Sequence, residues 1–121
     1  MNTQPAVLPL MQARVHDMDR VRIERALRHR VRYRYVQPQV ERASIAGTNE
    51  DGWVITSPCC SRNIDPTGGV IQIAWVEPVE GAWALYFRDH VHERWVLHDE
   101  SRHLQPLLDE ICLDPMRVFW P

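Results

Sequence analysis

The chain has 121 residues, 45% of them hydrophobic and 25% charged, with a formal net charge of −2. This is ordinary globular composition, long enough for one hydrophobic core and too short for two. All 14 basic residues are arginine, which excludes Schiff-base amines, a phosphate-loop lysine and the lysine of a metal-dependent nuclease triad.

The charge is uneven. Residues 14–42 carry nine arginines against Asp17, Asp19, Glu24 and Glu41, net +5, and the remainder is net −7. No segment approaches the ~20 consecutive apolar residues that span a bilayer, so no membrane association is expected. Residues 1–16, with Pro5 and Pro9 and no basic start or cleavage site, read as a loose arm and not a signal peptide. Residues 17–121 read as a single domain. Cys59, Cys60 and Cys112 are odd in number, and the adjacent pair is poorly placed for a disulfide, so a reducing cytoplasm is expected.

In chain order, Asp17 and Asp19 are helix-start residues, because a carboxylate accepts the orphan N–H groups of a first turn. Residues 20–29 lack Gly and Pro, and Ile23, Ala26 and Leu27 fall at helical spacing with Met18 about one turn earlier. The period then switches: Val31, Tyr33 and Tyr35 alternate with Arg30, Arg32 and Arg34, which predicts a half-buried strand ending before Pro38. A polar stretch follows, and Asn49-Glu50-Asp51-Gly52 reads as a turn. Strands are predicted over Trp53–Thr56, Val70–Val76, Trp83–Arg88 and Trp95–His98, with a long break from Ser57 to Gly69 and a hairpin tip at Asp89–His92. Ser101 or Gln105 is the expected cap of a last helix, with Pro106 in its first turn and Leu107, Leu108, Ile111 and Cys112 as its apolar face. Asp114-Pro115 ends that helix, and Val118, Phe119 and Trp120 form a tail expected to dock on the sheet. The expected fold class is α+β: an antiparallel meander sheet of about five strands with an N-terminal and a C-terminal helix.

Gly81-Ala-Trp-Ala-Leu-Tyr, then Arg94-Trp95, a short helix bearing Leu107 and Leu108, then Asp114 and Phe119, together resemble a group of small bacterial proteins, the domain-of-unknown-function family 3024. Arg32-Tyr-Arg-Tyr-Val-Gln-Pro38 extends the likeness. The resemblance implies a compact α+β fold and brings no catalytic residues with it.

Two groups of residues are candidates for a site. The first is an anion or nucleic-acid surface. Arg22, Arg25 and Arg28 lie three apart on the helix, and Arg30, Arg32 and Arg34 share one strand face, so together they can track a phosphate backbone. Against it stand a pI of about 6.3 and the acids available as partners. The second is the loop holding Cys60, Arg62, Asn63 and Asp65. A cation beside Cys60 favours its thiolate, and Asn63 and Asp65 can hydrogen-bond a ligand. The plainer alternative is a small buried thiol, an Arg62–Asp65 pair and a turn at Asn63.

Other constellations are weaker. Adjacent cysteines lack zinc-knuckle spacing, and neither His90 and His92 nor Cys112 and His103 are forced together, so no metal or other cofactor is expected. Asp65 and Glu77 flank a strand as nuclease acids do, but Val79 stands where a basic residue is required. The five tryptophans, Trp53, Trp75, Trp83, Trp95 and Trp120, read mainly as cross-strand packing, and as a binding surface if two or more are exposed. The leading expectation is a non-enzymatic interaction or accessory protein with a protein partner or as a homodimer. The alternatives are nucleic-acid binding by segment 20–34 and a thiol-dependent enzyme or sensor centred on Cys60.

Overall fold

A computed structural model describes residues 18–28, 38–44, 51–58 and 69–120. Residues 18–28 form helix α1. Five strands follow, β1 (Gln39–Ser44), β2 (Asp51–Pro58), β3 (Val70–Val79), β4 (Ala82–Asp89) and β5 (Arg94–Ser101), and then helix α2 (Leu104–Leu113). The strands lie in the order β1-β2-β3-β4-β5, every neighbouring pair antiparallel, so the expected meander with a helix at either end is present. No helix among the described residues is long and apolar enough to cross a membrane.

The connections follow from turn chemistry. Val79 pairs with Ala82, leaving Glu80 and Gly81 as a two-residue loop. Both have positive φ, 37° and 79°, the backbone that matches strand twist in a tight hairpin, and Gly81 adopts it without steric cost. The β4–β5 tip is held by Asp89. Its Oδ1 accepts the amides of Val91 and His92 at 3.1 and 3.2 Å, and its Oδ2 receives His92 Nδ1 at 2.9 Å and Arg94 Nε at 3.2 Å.

The core lies on one face of the sheet. Ile23 and Leu27 of α1, Leu104, Leu107, Leu108 and Ile111 of α2, and Trp53, Ile55, Val76 and Leu85 of the strands form one buried cluster with Phe119 and Trp120. The two helices abut there, with Cys112 Sγ 3.4 Å from the Ala26 carbonyl oxygen. The tail docks as expected, and the cause is Asp114. It caps α2 in the left-handed region at φ 44° and is itself buried. Its Oδ1 accepts the amides of Val118 and Phe119 at 2.8 and 3.2 Å, and its Oδ2 accepts that of Trp120 at 3.0 Å. Trp120 Nε1 donates to the Ile111 carbonyl at 2.8 Å, closing the loop back onto the helix.

The strand predicted over Val31–Val36 lies outside the described residues. Other expectations are corrected: among the described residues the strand paired to the outer edge of β2 is Gln39–Ser44, which the sequence presents as a polar stretch. Only Val40 in it is buried, as suits an edge strand following Pro38. Asp51 and Gly52 are not turn residues but the start of β2. Gly52 is glycine because a Cβ there would fall 2.6 Å from the Val76 carbonyl oxygen and 2.7 Å from Trp75 Cε2: the indole lies on the backbone. Met18 does not continue the apolar stripe and is 64% exposed. Asp19 lies inside α1, buried, with Arg22 at 3.6 Å. Neither Ser101 nor Gln105 is the N-cap of α2. That position is His103, whose amide donates to Ser101 Oγ at 3.2 Å, while Gln105 bonds Asp109 one turn on.

Candidate functional site

Because Trp53 and Ile55 face the helices, Val54 between them faces away. The ladder carries that row across the sheet as Val54, Trp75, Tyr86 and Leu97. A bulge between Leu85 and Tyr86 sets Asp99 opposite Leu85 and Leu97 opposite Tyr86, so His98 is the extra residue. Its effect is to keep Leu97 and Trp95 on the far face while His98 turns to the helix side, edge-on to Phe87 and Phe119 at centroid distances of 5.9 and 5.2 Å.

On the far face lies a groove of about 460 Å³, lined among others by Ser44, Gln72, Trp75, Arg88, Arg94 and Trp95. Arg88 and Trp95 are directly opposite in the ladder, and the guanidinium carbon sits 5.2 Å from the indole centroid. Trp75 tilts against Tyr86 at 5.1 Å, and the Tyr86 hydroxyl donates to the buried Glu77 carboxylate at 2.9 Å. Trp75 is buried, yet its Nε1 has no hydrogen-bond partner among the described residues. An unpaired buried donor costs about 1–3 kcal/mol. At the rim, the Asp89 carboxyl is held down to about 2, first by the His92 side chain and then by the His92 amide and Arg94. Burial, with Arg88 adding, lowers the His90 pKa.

A second groove of about 590 Å³ runs between α1 and β1, lined by Arg20, Glu24, Glu41 and Arg42 among others, its charges balanced. Arg20 lies over the Trp53 ring at 5.2 Å. On the helix side of the sheet, Glu110 of α2 stands 3.7 Å from His98 Nε2, and burial raises its pKa to about 7, with the neighbouring Asp99 carboxylate adding to the rise.

The residues singled out from sequence are distributed as follows. Arg22, Arg25 and Arg28 are exposed on α1, with Arg22 directed to Asp19. Arg30, Arg32 and Arg34 lie outside the described residues, as do Cys60, Arg62, Asn63 and Asp65. Trp53, Trp75 and Trp120 are buried, while Trp83 and Trp95 are half-buried. Among the described residues no cluster of three or more His, Cys, Asp or Glu is arranged to hold a metal. Arg88 and Arg94 escaped the sequence reading because they sit in the acid-rich half of the chain. The one available signal is that Tyr86 and Arg88 alternate away from the core-facing Leu85 and Phe87.

A family model described as a domain of unknown function, DUF3024, matches residues 11–121. The chain belongs to that family. The match takes in every described element of the DUF3024 chain, from α1 to the buried tail, and the residues that suggested the likeness have structural roles: Gly81 makes the β3–β4 turn and Asp114 and Phe119 dock the tail. No curated protein and no solved structure matches the chain significantly.

Proposed function

We propose that this DUF3024 protein is a non-enzymatic interaction or accessory protein of the cytoplasm, working through the far face of β4 and β5 with a protein partner or a second copy of itself. The observation that carries this reading is the patch formed by Tyr86, Arg88, Trp95 and Leu97, contiguous across the β4–β5 ladder. Tyr, Trp and Arg are the side chains that dominate binding energy at interfaces. Leu97 beside them is 49% exposed, an apolar contact that an interface would cover. Arg88 is stacked on Trp95, so little freedom is lost when it binds.

Size-exclusion chromatography with light scattering, followed by affinity capture, tests it. The expected result is a dimer or a specific partner that the Arg88→Ala, Trp95→Ala double variant no longer holds. A strictly monomeric protein with no partner and a measurable turnover overturns the reading.

One observation favours a second reading, nucleic-acid binding. Arg25 and Arg28 are exposed on one stretch of α1 and have no ion-pair partner among the described residues.

A further inference from the structure

The far-face groove brings Arg88 together with Trp75 and Trp95. The Arg88 guanidinium carbon lies over the Trp95 ring, 5.2 Å from its centroid. A guanidinium held over an aromatic ring can still offer N–H groups to a carboxylate. No carboxylate among the described residues pairs with Arg88. Trp75 lines the same groove with its ring, and its fully buried Nε1–H has no hydrogen-bond partner among the described residues. Gln72 and Ser44 add neutral polar groups, and Val54, Trp75 and Trp95 supply apolar wall.

The charge count sets the ligand's valence. Arg94 is engaged by Asp89 at 3.2 Å, and Glu93 also lines the groove. Arg88 and Glu93 are then the remaining charged lining residues, a balance that disfavours a dianionic phosphate ester and leaves Arg88, with no ion pair among the described residues, to receive at most a monoanion. The volume of about 460 Å³ suits a small molecule.

We infer that the groove binds a small organic acid, its carboxylate received by Arg88 and its apolar body laid against Trp75 and Trp95. This rests on the far face of β4 and β5 being the working surface, and it names the chemical class of what that surface takes.

The test uses the full chain with three acid–amide pairs: benzoate, 3-phenylpropanoate and hexanoate, each against its neutral amide at constant ionic strength. Binding is read by calorimetry and by the indole N–H resonances in a ¹⁵N-labelled protein. At least one acid is expected to bind about tenfold or more tightly than its amide, moving the Trp75 and Trp95 indole signals. Arg88→Gln is expected to abolish the preference for the acid and leave the unfolding midpoint in place. Acids and amides bound equally, or an acid bound equally by Arg88→Gln, overturn the anion assignment while the groove remains a binding surface. No acid moving either indole overturns the inference outright. Partner capture by the Arg88, Trp95 patch is scored independently, so its failure and this one are distinguishable.

Discussion

Replacing Glu110 by Gln converts a pH-dependent contact into a pH-independent one. Glu110 sits on α2 against β5, faced by His98 at 3.7 Å and by Asp99. Its pKa rises from 4.5 to about 7 on folding because burial and the Asp99 carboxylate both disfavour the anion. An acid whose folded pKa is raised stabilises the fold fully below its unfolded value and loses that contribution as pH climbs through the folded one. The loss therefore runs from about pH 4.5 to about pH 7. The full shift corresponds to about 3 kcal/mol at ~1.4 kcal/mol per unit. A third of the Glu110 side chain is exposed, and solvent screening reduces this to about 1–2 kcal/mol. Glutamine mimics the protonated carboxyl. Glu110→Gln is thus expected to be more stable than the parent by about 1–2 kcal/mol at pH 8 and nearly equal to it at pH 4. Urea unfolding followed by tryptophan fluorescence at pH 4, 6 and 8 measures the difference. Carboxylates that do not touch Glu110 titrate in both proteins and cancel in the comparison. A difference that does not change with pH, or that grows toward acid, refutes the reasoning.

Further outcomes follow from single contacts. Asp114→Ala removes the acceptor for three amides and leaves those of the buried Phe119 and Trp120 unpaired, so urea unfolding should show a loss of about 3–4 kcal/mol. Asp114→Asn, which keeps one acceptor oxygen, should lose about half of that. Gly52→Ala drives a Cβ to 2.6–2.8 Å from backbone and indole and should cost about 1–3 kcal/mol, with the Trp75 indole resonance displaced. In gel-shift titrations at low and moderate salt, nucleic-acid binding by α1 predicts a complex weakened by Arg25→Ala plus Arg28→Ala and by added salt. A complex indifferent to both changes, or none at low salt, removes that reading.

Most of the fold is legible from apolar patterning, and the exceptions have physical causes. β4 and β5 announce themselves by alternation, and β2 and β3 by apolar runs bounded by turn residues. α2 does so because Leu104, Leu107, Leu108 and Ile111 are all buried on one side. β1 carries no such mark. Gln-Val-Glu-Arg-Ala-Ser has one buried residue, and an edge strand needs no second apolar position to pair. Gly52 reads as a turn residue because glycine usually is one, whereas here it makes room for an indole from the next strand. The groove is harder still. It depends on Arg88 meeting Trp95 across a ladder whose register shifts beside His98, and a bulge leaves no trace in periodicity until both strands are aligned. Charge points elsewhere as well: the densest arginines lie in segment 20–34, while Arg88 lies outside residues 14–42, in the remainder with net charge −7.

Three buried polar atoms lack hydrogen-bond partners among the described residues, and they differ in how the molecule can answer them. Glu110 Oε2 is one, and taking up a proton near neutral pH relieves it without any other molecule. Arg20 Nε is the second, and its guanidinium lies on Trp53 in a groove that also holds Glu24 and Glu41, so its charge is already offset. The indole N–H of Trp75 is the third. It has no accessible second protonation state and no charge to balance; only an acceptor can satisfy it. On the helix side of the sheet, Asp114 shows what the fold does with amides it means to satisfy internally: one carboxylate takes three of them. On the far side Trp75 and Arg88 line one groove, and neither has an acceptor among the described residues. That pairing of Trp75 with Arg88, more than any motif, is what the proposed binding surface rests on.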